Sequence, residues 1–168
     1  MTAPPNWVLA LIYWLHMLAT VAWIGSLVAI SILVLPASTR TLKLVDQDSF
    51  SAALKKRLEP IAWFCIGLLV VTGLFQMSLN SHYNGFLDTS TQWSLAILIK
   101  HILGLIMLVV SAIQTWEVLP AIHRTLLKKD TAGEEDLARL KKRETSLLRI
   151  NLILSALILL ATAFARAS

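Results

Sequence analysis

The chain of 168 residues is apolar and basic: 57% of its residues are hydrophobic, 15% are charged, and its formal net charge is +5. The mean hydropathy is +0.70. This value and the low charged fraction exclude an ordinary soluble globular domain, in which about a quarter of the residues carry charge. The Lys and Arg residues flank long uncharged stretches, so the basic character indicates a membrane protein and not a nucleic-acid-binding one.

Four apolar stretches reach the length of about 20 residues that a helix needs to cross a hydrocarbon layer of about 30 Å. We therefore predict an all-α integral membrane protein, a single domain built as a four-helix bundle. Its predicted spans cover residues 7–35, 61–79, 93–119 and 147–165. Pro36 and Pro120 each follow an apolar run and Pro60 precedes one, which predicts helix boundaries at these three prolines.

The segments between the predicted spans differ in charge. Loops 36–59 and 120–146 are rich in Lys and Arg, whereas loop 80–92 contains neither. The positive-inside rule therefore predicts that the first two loops are cytoplasmic, and that loop 80–92 and both termini lie outside the inner membrane, in the periplasm. Amphipathic stretches occur at 50–58 and at 134–146, and the second predicts a helix that lies along the membrane or extends the fourth span.

Ionisable side chains inside a span are costly and indicate function. The candidates are His16 in the first span and Lys100 and His101 in the third, and both histidines lie about 12–14 Å below the predicted outer ends of their helices. Two imidazoles at one depth fit a bound metal ion, or the two axial positions of haem b. The alternative is that each imidazole only forms hydrogen bonds to neighbouring hydroxyls or carbonyls.

Several other residues are weaker candidates for metal binding. His82 lies in the outer loop, and Met77 near the outer end of the second span has a thioether that suits Cu(I). Met17 and Met107 are more simply packing or lipid-facing residues. Cys65 is the single cysteine, so the sequence has neither a disulfide framework nor a CxxC motif. The sequence also contains no repeat of the kind that builds soluble repeat proteins, no Gly-rich phosphate loop and no HExxH-type motif.

The segment 15–25, in which His16 precedes the sequence Trp-Ile-Gly, resembles the first-helix signature of the CopD-like copper-resistance membrane family. Thr72-Gly73, the segment 87–89 and the intramembrane Lys100 are similar to further parts of that family's pattern, so the resemblance covers about residues 15–110. The chain is more distantly similar to HemJ-like four-helix membrane proteins. The resemblance implies that the protein handles copper ions at the cytoplasmic membrane.

Three functional hypotheses follow. In the first, which is not enzymatic, His16 and His101 bind copper and Lys100 tunes the charge at the outer mouth. In the second, the two histidines hold haem b in a redox protein, an oxidoreductase if it is an enzyme. In the third, the chain is an accessory subunit of a larger membrane complex. Membrane lipid is an expected partner in each, together with a homodimer or larger assembly and a periplasmic metal or electron carrier.

Overall fold

A computed structural model describes residues 4–41, 44–80, 83, 85–127 and 131–167. Helices account for nearly all of these residues, and no strand occurs among them. The contacts divide the chain into two compact units, Met1–Phe86 and Leu87–Ser168. Each unit is a pair of antiparallel helices, which we call hairpin one and hairpin two.

Hairpin one begins with a helix that runs without interruption from residue 6 to residue 41. Its parts are α1 (Asn6–Val28), the π-helical segment π1 (Ala29–Val34) and α2 (Leu35–Thr41), and it is followed by the return helix α3 (Leu44–Ser78). Contacts of His16 with Thr72 and of Ile12 with Gln76 show that α1 and α3 are antiparallel. We call the end where α1 begins and α3 ends the open end, and the opposite end the turn end.

Hairpin two has the same plan. Its first helix consists of α4 (Gln92–Ile113), the π-helical segment π2 (Gln114–Val118) and α5 (Leu119–Leu127), and its return helix is α6 (Thr131–Ala167). Ser111 contacts Asn151 and Glu117 contacts Arg143, so these two helices are antiparallel as well. The open end of hairpin two is where α4 begins and α6 ends.

The prediction of an all-α membrane protein with four spanning helices is confirmed. Four stretches are long and apolar enough to cross a membrane: Asn6–Ser38, Ser49–Ser78, Gln92–Thr125 and Glu135–Ala167. Most residues of these stretches are not buried within the protein, and many large apolar side chains are exposed. This distribution suits helices whose outer faces are solvated by lipid.

The predicted helix boundaries at the prolines are wrong. The first helix of hairpin one continues past Pro36 to Thr41, and that of hairpin two continues past Pro120 to Leu127. Pro60 lies inside α3 and does not begin it. Proline was expected to end these helices because it lacks an N–H and its ring clashes with the carbonyl four residues earlier.

The two π-helical segments explain how the helices pass Pro36 and Pro120. The residue before each proline donates its N–H to the carbonyl five residues back, from Leu35 to Ile30 in hairpin one and from Leu119 to Gln114 in hairpin two. This wider turn gives room for the proline ring where a regular α-helical turn would be crowded. Apolar length therefore predicts the number of spanning helices correctly, while the local backbone decides where each helix ends.

The return helices are longer than a membrane is thick. α3 has 35 residues and α6 has 37, which correspond to about 52 and 56 Å at about 1.5 Å per residue. The amphipathic stretches 50–58 and 134–146 belong to these helices at their turn ends. Of the two alternatives predicted for 134–146, the structure shows the extension of the fourth span and not a separate helix along the membrane. The stretch 50–58 extends the second span in the same way.

Candidate functional site

The imidazole of His16 lies on α1 against the return helix of hairpin one. Its Nδ1 atom is 2.7 Å from the hydroxyl oxygen of Thr72, a buried residue of α3. That hydroxyl donates its own proton to the carbonyl of Leu68 at 2.6 Å. Because a hydroxyl has a single proton, the Thr72 oxygen accepts from His16, and Nδ1 of His16 carries the N–H. In a neutral ring the lone pair then lies on Nε2.

The backbone of α3 passes close beside the same ring. A Cβ atom at Gly73 would lie 3.4 Å from Cε1 of His16, which is van der Waals contact, so the backbone of α3 runs along the edge of the imidazole. On α1, the carbonyl of His16 accepts a hydrogen bond of 2.8 Å from Thr20. One turn towards the open end, Gln76 donates to the carbonyl of Ile12 at 3.5 Å. The contacts with Thr72 and Gly73 of α3 thus hold the His16 ring in one orientation.

His101 of hairpin two has the same tautomer but a different partner. Its Nδ1 atom lies 2.7 Å from the carbonyl oxygen of Ile97, one turn earlier on α4. A carbonyl oxygen only accepts, so Nδ1 donates and the lone pair of the neutral ring again lies on Nε2. The ring is half-buried, as is the neighbouring Lys100. His101 is therefore oriented by its own helix, whereas His16 is oriented by the helix that packs against it.

The two histidines have the arrangement that metal-binding imidazoles use. Such a ring donates one N–H to an oxygen of the protein, and this bond fixes the tautomer and the direction of the other nitrogen. In His16 and His101 that other nitrogen is Nε2. The same two hydrogen bonds are also what the alternative of simple hydrogen-bonded histidines predicts. Among the described residues no group of three or more His, Cys, Asp or Glu side chains is placed to hold a metal ion.

The weaker candidates lie at the open end of hairpin one and in the loop that follows. Met77 is buried on α3, next to Gln76, and His82 lies outside the described residues. After the loop, Thr91 caps α4 through a reciprocal pair of hydrogen bonds with Ser94. Asp88 accepts hydrogen bonds from the backbone and hydroxyl of Ser90, which lower the pKa of its carboxyl group.

Sequence reasoning missed a buried polar cluster in the middle of hairpin two. Asn151 is 1% exposed and donates to the Ser111 hydroxyl at 3.1 Å, and Ser155 donates to the carbonyl of Asn151. The Asn151 side-chain oxygen is buried without a hydrogen-bond partner in the described part of the chain. The sequence signal for this cluster is that Asn151 and Ser155 are two polar residues one helical turn apart within a predicted span.

A second contact between the helices of hairpin two lies at its turn end. Arg143 donates to the carboxylate of Glu117 at 2.8 Å, and both side chains are about half exposed. Glu117 belongs to π2, so this ion pair joins the π-helical segment to the return helix. Glu117 lies two residues before the end of the predicted span 93–119, where a long side chain can reach the membrane interface, and the ion pair agrees with that position.

The family model described as copper resistance protein D matches residues 52–165 of the chain. The match contains Lys100 and His101, but it begins after the first helix and so leaves out His16. The resemblance in the sequence was assigned to about residues 15–110, so the family is confirmed while the matched region extends further towards the C-terminus. No curated protein and no solved structure matches the chain. Because the match covers well over half of its residues, the chain belongs to the copper resistance protein D family.

Proposed function

We propose that this multi-pass membrane protein handles copper ions as its substrate, and that it binds them through Nε2 of His16 and of His101. The observation that supports the proposal is the shared tautomer of the two rings. In each ring Nδ1 donates to a protein oxygen, so the lone pair of Nε2 is the group that can bind a metal ion. Membership of the copper resistance family supplies the identity of the metal.

A copper ion binds to an imidazole nitrogen that carries no proton. Because Nδ1 of each ring donates its N–H to a protein oxygen, Nε2 is the nitrogen that can meet this requirement. Imidazole nitrogen suits copper, which forms the most stable complexes among the divalent first-row metals. In this proposal Lys100, next to His101, tunes the local charge and so disfavours a second cation nearby.

The proposal is tested by the copper content of the purified protein in detergent, loaded with Cu(I) in the presence of a competing chelator. We expect His16→Ala and His101→Ala each to lose most of the bound copper. His123→Ala is the matched control, because His123 is an exposed histidine at the turn end of hairpin two. Full copper retention in both span variants would show that the two imidazoles are not the ligands.

An optical spectrum of the same sample distinguishes copper handling from the other two hypotheses. A Soret band that shifts on reduction, and that both span variants lose, would replace the copper proposal with axial ligation of haem b by His16 and His101. A sample with neither haem bands nor bound copper, isolated together with other membrane proteins, would instead support an accessory subunit. A colourless protein that binds Cu(I) is the result that we expect.

We propose an orientation in the inner membrane with both termini and loop 80–92 on the periplasmic side. The Lys and Arg residues at the turn ends of both hairpins support this orientation. It places His16 and His101 in the periplasmic half of the membrane, within reach of a periplasmic metal carrier as partner. A topology reporter fused after Ser168 should be active in the periplasm, and activity in the cytoplasm would reverse the assignment.

A further inference from the structure

A groove lies between the two helices of hairpin two at the turn end. Its volume is about 490 Å³, and its lining consists of Thr125 on α5 together with Asp136, Arg139, Leu140 and Arg143 on α6. Small-molecule sites have volumes of about 300–1,000 Å³, so the groove is large enough for a ligand of modest size. The lining contains two cations, a carboxylate and a hydroxyl, and therefore both donors and acceptors of hydrogen bonds.

The three charged residues of the groove lie on one side of α6. Asp136, Arg139 and Arg143 follow one another at spacings of three and four residues, which places them on successive turns of the same helix face. Arg143 donates to Glu117 of π2 through Nη1 at 2.8 Å. A guanidinium group has five N–H donors, so this ion pair leaves Arg143 with further donors. The arginine end of the groove can therefore donate to an anion while the pair with Glu117 stays intact.

The opposite end of the groove presents acceptors. Thr125 donates its hydroxyl proton to the carbonyl of Ala121 at 3.0 Å, so the hydroxyl oxygen is left as an acceptor. Continuing the antiparallel register of the Glu117–Arg143 contact by eight residues brings Thr125 beside Asp136, whose carboxylate also accepts hydrogen bonds. One end of the groove thus carries donors, and the other end carries acceptors.

The groove lies where the helices of hairpin two leave the membrane. The candidate spans Gln92–Thr125 and Glu135–Ala167 have 34 and 33 residues, which correspond to about 50 Å each at about 1.5 Å per residue. A bilayer measures about 40–45 Å when its headgroups are included, so the ends of these spans reach the headgroup layer. Of the charged lining residues, Arg143 lies nearest to the hydrocarbon and Asp136 lies furthest from it.

Hairpin one lacks this combination of charges. The sequence Leu-Lys-Lys-Arg occurs once in each return helix. Four and seven residues before its arginine, hairpin two has Arg139 and Asp136. Hairpin one has Ala53 and Phe50 at those two positions. Both hairpins therefore have the basic residues that set membrane orientation, whereas the additional arginine and the acid are specific to hairpin two.

We propose that this groove binds the headgroup of a phospholipid that carries a primary ammonium group, of the phosphatidylethanolamine type. The phosphate accepts hydrogen bonds from Arg139 and Arg143, and the ammonium group donates to Asp136 and to the hydroxyl oxygen of Thr125. In such a lipid the phosphate is nearer to the acyl chains and the ammonium group is at the outer tip. The charges along α6 have the complementary order. This inference rests on the membrane spans and not on copper binding.

The test measures which lipid the purified protein retains. The protein is released from nanodiscs with equal amounts of phosphatidylethanolamine, phosphatidylglycerol and phosphatidylcholine, and the bound lipids are counted by native mass spectrometry. We expect preferential retention of phosphatidylethanolamine. Asp136→Asn should lower its preference over phosphatidylcholine about threefold or more, because phosphatidylcholine has no N–H to donate. Arg139→Gln and Arg143→Gln should lower the retention of phosphatidylethanolamine by a similar factor, since each removes donors to the phosphate.

Three control variants separate the groove from the surrounding charges. Arg57→Gln removes the arginine of Leu-Lys-Lys-Arg in hairpin one, and Glu135→Gln removes an exposed acid next to Asp136 that does not line the groove. Glu117→Gln breaks the ion pair but leaves the donors of Arg143 in place. All three should keep the lipid preference of the unmodified protein. The folding of every variant is checked by its helical circular dichroism.

Four results would overturn the proposal. Retention of phosphatidylglycerol equal to or greater than that of phosphatidylethanolamine would show only the general attraction of a basic surface for anionic lipid. Absence of any selective retention, or equal losses in the control and groove variants, would remove the site. Thermal stabilisation by soluble phosphoethanolamine without any lipid preference would assign the groove to a soluble ligand instead. Selective retention of phosphatidylethanolamine that only the groove variants lose is the result that supports the proposal.

Discussion

The two hairpins have the same backbone plan, but their helices make polar contacts at different levels. In hairpin one the contact between His16 and Thr72 lies in the open-end half. In hairpin two the Asn151–Ser111 contact lies in the middle, and an ion pair lies at the turn end. The same pair of antiparallel helices can therefore carry polar contacts at different positions. Helix packing needs only complementary shapes, whereas each polar contact needs one particular pair of residues.

The comparison also indicates what holds each pair of helices together. Lipid tails are as apolar as the side chains between the helices, so packing and hydrogen bonds, and not the exclusion of water, stabilise each pair. Hydrogen bonds between membrane helices contribute about 0.6 kcal/mol each on average. Close packing of side chains such as Met107, which is 0% exposed, is therefore expected to contribute more than any single polar contact.

The largest expected effect comes from the packing of hairpin two. Met107→Ala leaves a cavity between the helices and should lower the free energy of unfolding by about 1–2 kcal/mol. This is less than in a soluble core, because lipid solvates the side chain when the helices separate. The measurement is equilibrium unfolding in mixed micelles. Met17→Ala is the control in hairpin one, where the side chain is 66% exposed, and an equal loss there would contradict the packing argument.

The next effect tests how hairpin one orients its histidine. Thr72→Val keeps the shape of the side chain but removes the oxygen that accepts from Nδ1 of His16, so the unfolding free energy should fall by about 1 kcal/mol. The ring should also lose its preference for the Nδ1–H tautomer, which is observable in nitrogen-15 NMR spectra of labelled histidine.

The control for this variant is Thr20→Val, because the Thr20 hydroxyl bonds to the backbone carbonyl of His16 and not to its ring. Its histidine spectrum should match that of the unmodified protein. His101 should also be unaffected by either substitution, since its Nδ1 donates to its own helix. An unchanged His16 tautomer in Thr72→Val would remove the proposed role of Thr72.

The smallest effect comes from the ion pair of hairpin two. Leu33 stands three residues before Pro36, as Glu117 does before Pro120, so Glu117→Leu gives hairpin two the residue type that hairpin one has there. Because Glu117 and Arg143 are about half exposed, a double-mutant cycle with Arg143→Gln should give a coupling of about 0.2–1 kcal/mol that decreases with salt. A coupling that salt leaves unchanged would indicate a pair shielded from solvent.

The sequence predicted the spans and the family correctly, and its errors were local. Uncharged runs identified four spans because insertion depends on hydropathy summed over about 20 residues. The prolines were read as helix ends because a regular α-helical turn does not accept them, and the π-helical turns before Pro36 and Pro120 changed that outcome. The sequence Val-Leu-Pro-Ala occurs at both 34–37 and 118–121, and in the structure a π-helical turn precedes the proline in each.

By itself, the sequence determined that this chain resides in lipid as four helices and that His16, Lys100 and His101 lie within spans. The tertiary structure decided which oxygen each imidazole meets, that Asn151 pairs with Ser111, and that the helices continue past their prolines. Hydropathy is a property of consecutive residues and is read along the chain. The partner of His16 is 56 residues away and is selected by the register of two packed helices, which no local pattern specifies.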